Sequence, residues 1–193
     1  MSSGAGQAFG ELIYNAAVQL QRGNLFLVGL PGAGKSTLGR MLARRFGLLF
    51  VDADTELEAR LGVSIPTIFE IEGEAAFRDR EEVTLADLVQ RTGIVLATGG
   101  GVVIRAENRA RLRANGPVLY LHAEPSALRE RTRKSRHRPL LNAADPLARL
   151  AELYAQRDPL YREVAHRVVE SDRERVIRFA LELEAERDAA GSS

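Results

Sequence analysis

The stretch GLPGAGKST, Gly29 to Thr37, constrains what this chain can fold into more than any other. Gly29, Gly34, Lys35 and Ser36 fit the pattern G-x-x-x-x-G-K-[ST], with the apolar NLFLVG before it and KSTLGRMLARRFG after it. The first flank reads as a strand and the second as a helix closed by Gly47. A strand, a glycine-rich turn and a helix N-terminus aim several backbone N–H groups into one concavity, where phosphate oxygens bind. Gly32, Ala33, Gly34, Lys35, Ser36 and Thr37 are therefore expected to hold the phosphates of a nucleoside triphosphate. Lys35 would reach the β- and γ-phosphates and Ser36 would ligate Mg²⁺. The only lysines among the chain's 27 Lys and Arg residues are Lys35 and Lys134, so one of them at the motif position argues against coincidence.

Further along, LLFVDAD, IVLAT, PVLYLH and HRVVE are short apolar runs separated by helical stretches, which predicts five strands. Strands alternating with helices imply an α/β fold, a five-stranded parallel sheet with helices on both faces. TELEARLG opens with Thr55 and carries Glu58 three residues on, a capping box. No internal repeat or proline-rich linker interrupts residues 24–190, which are expected to form a single domain. Residues 1–23 are expected to be a flexible or partly helical extension. Hydrophobic residues make up 45% of the 193-residue chain and charged ones 27%, an ordinary soluble profile. A net charge of +1 gives no global field for nucleic acid or an acidic membrane. The absence of cysteine removes thiolate nucleophiles and zinc–thiolate sites. No apolar run approaches the roughly 18 residues of a membrane span, and there is no secretory signal, so a cytoplasmic protein is expected.

Asp52 follows four apolar residues and so lies at the carboxyl end of a strand, where ligand sites of α/β sheets occur. A carboxylate there can hold the hydration shell of Mg²⁺. Asp54, two residues on, reads either as a base or orienter for an acceptor hydroxyl or as a cap on the helix that follows. Gly99, Gly100 and Gly101 follow IVLAT on the same rim. A turn usually needs one glycine of positive φ, so three in a row point to a ligand approaching bare backbone amides. Arg78, taken alone, reads as a surface arginine paired with Glu74 or Glu82. RERTRKSRHRPLL is basic but has no interleaved aromatics to stack bases, and reads as a mobile lid closing on a triphosphate. His122, His137 and His166 show no metal-ligand spacing.

GLPGAGKST, FVDAD, FRDRE, TGGG, RPLL and RDPLY, in this order, resemble the signature positions of the shikimate kinase family over roughly Asn24 to Arg178. The resemblance implies a P-loop kinase fold with a mobile lid. It implies transfer of the γ-phosphoryl of ATP to the 3-hydroxyl of shikimate, on the route to aromatic amino acids. It also implies that Ser36 binds Mg²⁺ directly and Asp52 through water, and that Asp54 holds the shikimate hydroxyls. Arg78 and Arg157 would bind the shikimate carboxylate, and Gly100 would offer a backbone amide. Lys35, Asp54 and Arg138 would form the catalytic set, with Arg138 reaching the transferring phosphate from the lid and Arg131 stacking on adenine. ATP and shikimate are the expected partners of a monomer, without nucleic acid or membrane. The nearest alternative is another small-molecule kinase of this fold, such as a gluconate kinase, which would not need paired arginines for a ring carboxylate. A catalytically silent ATP-binding module would be marked by loss of Asp54 or Arg138, and both are present.

Overall fold

The computed structural model describes residues 23–133 and 145–191. Its strands are β1 (Leu25–Val28), β2 (Leu49–Asp52), β3 (Ile94–Ala97), β4 (Val118–His122) and β5 (Arg167–Glu170). All pair in parallel in the order β2-β3-β1-β4-β5, as the alternation of apolar and helical stretches predicts. β1, β3 and β4 are buried along their whole length, so they carry near-continuous Val, Leu and Ile rather than an alternating pattern.

The helices are α1 (Lys35–Phe46), α2 (Ala53–Leu61), α3 (Ile65–Ile71), α4 (Gly73–Leu88), α5 (Ala106–Asn115), α6 (Pro125–Thr132), α7 (Pro146–Val164) and α8 (Arg173–Gly191), with a 3₁₀ turn at Val102–Ile104. The crossover from β1 to β2 runs one way along the sheet, and the crossover from β3 to β4 runs the other. Right-handed crossovers in opposite directions place their helices on opposite faces. Accordingly α1 packs with α8, and α5 packs with α7 and α4. The adjacent strands β1 and β3 thus send their chains to opposite faces, which opens a crevice beyond their carboxyl ends. The main core lies between these layers, with Phe26, Leu27, Val95, Leu96, Tyr120 and Tyr161 fully enclosed. A second, small cluster of Leu57, Ile68 and Phe77 holds α2, α3 and α4 together beside the crevice.

One helix start differs from expectation. α2 begins at Ala53 rather than Thr55, and its cap is Asp52, whose carboxylate accepts from the amides of Asp54 at 3.2 Å and Thr55 at 3.4 Å. An aspartate at the strand end reaches the free N–H groups of the first turn before Thr55 can act as cap. Glu58 then forms no capping box; its Oε1 accepts from the Ile65 amide at 2.8 Å and closes the turn into α3. Among the described residues no helix is long and apolar enough to cross a membrane.

Candidate active site

The phosphate loop ends at Gly34, whose φ of 92° is open to glycine and strained for other residues. No side chain caps α1, so its N-terminus is open to an anion at the end of the loop. Lys35, the first residue of α1, folds back so that Nζ donates to the carbonyls of Gly29 at 2.7 Å and Leu30 at 3.2 Å. One residue on, Ser36 Oγ donates to Asp52 Oδ2 at 2.7 Å, joining the loop to the end of β2.

A cleft of about 840 Å³ opens over this loop. Gly32, Gly34, Lys35, Ser36, Thr37, Asp52, Asp54, Arg78, Gly100, Gly101, Arg131 and Arg157 all line it. Ala33 is buried beneath the loop and Gly99 lies just behind the wall. Arg138 lies outside the described residues, as does nearly all of the expected lid. Arg131, at the end of α6, is exposed and donates to Ser171 Oγ at 2.6 Å beyond β5.

Asp54 stands on the first turn of α2, half-buried at the floor of the cleft. Burial, followed by the negative charges of Asp52 and Glu81, lifts its pKa to about 6, against the opposing pull of Lys35. A carboxylate of that pKa can gain or lose a proton near neutrality.

Arg78 is not on a solvent-facing surface, contrary to what its charged helix implies. It is only 6% exposed, with Nη1 on Glu81 Oε2 at 2.7 Å and Nη2 on Glu74 Oε1 at 2.8 Å. Burial works against its charge, but the two carboxylates outweigh it and hold the guanidinium firmly protonated. Glu74 was an expected partner; Glu81, three residues on rather than four, takes the place of Glu82, which instead pairs with Arg105 and Arg111. Arg157, on α7, is 3% exposed and donates Nη1 to the Gly100 carbonyl at 3.1 Å. Burial lowers its pKa below the usual arginine range, and the charge of Arg78 adds to the drop while Tyr161 opposes it. Among the described residues, Nε of each arginine is buried without a partner. Both guanidinium groups line the cleft at one wall, where a partly desolvated cation attracts an anion.

The glycine run explains how these groups meet. None of Gly99, Gly100 and Gly101 has positive φ, so conformational freedom is not what the run supplies. A Cβ on Gly99 would lie 2.7 Å from Glu81 Oε1 and 2.8 Å from Asp54 Oδ1. One on Gly100 would lie 2.7 Å from Pro31 Cδ in the phosphate loop, and one on Gly101 would collide with the Arg78 guanidinium. The backbone is bare because the site's own side chains, rather than a ligand alone, pack onto it.

Four residues of the site escape a motif-by-motif reading. Glu81 and Tyr161 are each one helical turn from a recognised arginine, and helical spacing is the signal that finds them. Glu58 lines the cleft although its place in sequence suggests only a cap, and Phe69, 4.8 Å from the Phe77 ring, lines it too.

Ser36 and Asp52 offer two hard oxygen donors and, among the described residues, no cluster of three or more acidic or histidine side chains accompanies them. Such a sparse oxygen set fits Mg²⁺, which keeps much of its water and takes other ligands from substrate phosphates.

The model of the shikimate kinase family matches residues 31–186. A shikimate kinase of Thiobacillus denitrificans is 58% identical over 156 residues, which cover 81% of this chain and 85% of the relative. That of Dechloromonas aromatica is 61% identical over 149 residues, 77% of this chain and 81% of the relative. Among solved structures, the shikimate kinase of Acinetobacter baumannii in complex with shikimate superposes with a TM-score of 0.80 at 45% identity, over 83% of this chain and 90% of that one. The phosphate loop, the strand-end aspartates and the arginine wall are therefore read within a known lineage: the chain belongs to the shikimate kinase family of ATP-dependent kinases.

Proposed function

We propose that the cleft divides into a phosphate side, built by Gly32–Thr37 with Asp52, and an acceptor side, built by Asp54, Arg78, Gly100, Gly101 and Arg157. The reaction is transfer of the γ-phosphoryl of ATP to the 3-hydroxyl of shikimate, giving shikimate 3-phosphate and ADP. The observation that carries the assignment of sides is the arginine wall: Arg78 and Arg157 are both buried, both seated on consecutive glycines, and both short of a partner at Nε. A planar carboxylate satisfies such forked donors, and a hydroxylated ring anchored there would present its oxygens toward Asp54.

Asp54 orients the 3-hydroxyl and takes its proton as the oxygen bonds to the γ-phosphorus and the bond to the β–γ bridging oxygen breaks. Its pKa of about 6 leaves it mostly ionised, hence able to accept, at neutral pH. Lys35 exchanges its loop carbonyls for the β- and γ-phosphates. Transition states of this type are stabilised chiefly by position and charge, which is what the loop amides and Lys35 provide. Ser36 and Asp52 would hold Mg²⁺, which would supply positive charge to offset that of the phosphates. Arg131 would flank the adenine, and Arg138 would approach from the lid.

The test is an ATP-consumption assay of the purified chain with shikimate, quinate, gluconate and nucleoside monophosphates in turn. Shikimate is expected to be the preferred acceptor by at least a hundredfold in kcat/KM. Equal or better turnover of gluconate or a nucleoside monophosphate would overturn the assignment. Lys35→Ala should lower kcat by about 10²–10³ with the fold intact.

A further inference from the structure

In the glycine run the carbonyls are held one by one. Gly99 O accepts from the Val102 amide at 3.3 Å, and Gly101 O accepts from the Ile104 amide at 3.0 Å. Between them, Gly100 O accepts from two side chains of α7: Arg157 Nη1 at 3.1 Å and the hydroxyl of Tyr161. A carbonyl oxygen has two lone pairs, so both bonds can form together. In a trans peptide the C=O and the next N–H point in opposite directions. Fixing Gly99 O therefore fixes the Gly100 amide, and fixing Gly100 O fixes the Gly101 amide. Gly100 and Gly101 both line the cleft. A glycine–glycine peptide is otherwise the one most free to rotate.

Tyr161 is fully buried and stacks on the Tyr120 ring with centroids 4.9 Å apart. Its ring would be packed without any hydroxyl, so the hydroxyl's bonds, to the Gly100 carbonyl and with Arg157, call for a reason beyond packing. We propose that Tyr161 is a positioning residue for the acceptor: its hydroxyl locks the Gly100–Gly101 peptide so that the Gly101 amide faces the cleft and Arg157 is held on the glycine run. The hydroxyl's partners, Gly100 and Arg157, both belong to the acceptor side, so the aromatic anchor acts there. The inference rests on the assignment of Arg157 and the glycine run to acceptor binding.

Tyr120 supplies the comparison. Its hydroxyl is a buried-ring hydroxyl of the same kind, but it donates to Asp158 Oδ1 at 2.8 Å and touches nothing in the cleft. Tyr161→Phe and Tyr120→Phe each delete one hydroxyl from the same stacked pair. Both are expected to lower Tm slightly. Only Tyr161→Phe is expected to raise the KM for shikimate, by about threefold to tenfold for one lost hydrogen bond, while the KM for ATP stays within twofold of wild type. An unchanged shikimate KM in Tyr161→Phe, or an equal rise in Tyr120→Phe, would overturn the positioning role. The wild-type enzyme, run alongside, keeps the two failures apart: if it does not phosphorylate shikimate, the proposed function fails, whereas a normal wild type beside an indifferent Tyr161→Phe defeats this inference alone.

Discussion

Asp54 illustrates how a single residue carries opposite demands. Its carboxylate is crowded by burial and by Asp52 and Glu81, and its pKa of about 6 lies above the ordinary 3.8. The folded state thus favours the protonated form, and stability from this group is present below about pH 4 and lost as pH rises through about 6. Asp54→Asn removes the charge that the fold resists. The variant is expected to melt higher than wild type at pH 7 to 8, with the advantage gone near pH 4, while its kcat falls by two orders of magnitude or more. A lower melting temperature as the sole defect would make Asp54 a structural residue. Gly101→Ala probes the other wall. The added methyl must displace Arg78, whose own carboxylate partners leave it little room. An overpacked site of this kind typically loses about 1–3 kcal/mol of stability, and the KM for shikimate should rise at least tenfold with that for ATP retained, as initial rates with each substrate varied in turn would reveal. The glycines themselves were conspicuous in the sequence, but their reason was not. Nothing local to TGGG announces that a guanidinium from a helix some twenty residues earlier will rest on it.

At the level of elements, the segments readable from sequence are those whose pattern is local. β1, β3 and β4 declare themselves as apolar runs, and α1 is fixed at both ends by Gly34 and Gly47. α4 is harder to read, because its apolar and charged residues are spread round the helix rather than sorted to faces. Arg78 and Glu81 are buried on it as a pair one turn apart, and while that spacing is visible in the sequence, the burial of the pair is not. The start of α2 is likewise hidden from the local pattern: Asp52 serves strand end, helix cap and Ser36 at once, and the sequence motif names only one of these. The join of β4 and β5 yields a prediction of its own. His166 Nδ1 accepts from the Val118 amide at 3.0 Å, and the His166 amide donates to the Val118 carbonyl at 2.8 Å. The first bond needs a neutral ring, and burial, with Arg113 adding to it, pushes the His166 pKa below 6.5. For a base shifted down, the stabilising contribution is complete above pH 6.5 and disappears as pH falls through the folded value. Thermal melts from pH 7.5 to 5 should therefore show a steeper loss of Tm for wild type than for His166→Gln. Parallel curves would mean that this ring does not govern the acid sensitivity of the sheet edge.

The whole molecule converts a sheet order into a reaction site. Strands β1, β2 and β3 end on one rim, and the opposite departures from β1 and β3 leave the crevice that the phosphate loop, Asp52 and the glycine run share. Distance in sequence is erased there: Arg78 and Arg157 come from different helices and converge on neighbouring glycines. The central claim is that this pair reads a carboxylate, and it is tested most directly by comparing shikimate with its carboxamide as acceptor for the wild-type enzyme. A site whose buried charges are left unmatched can reject an analogue by roughly 10⁴-fold. The account predicts a kcat/KM for the amide at least a hundredfold below that for shikimate, with the KM for ATP unchanged; an amide phosphorylated as well as shikimate would contradict it.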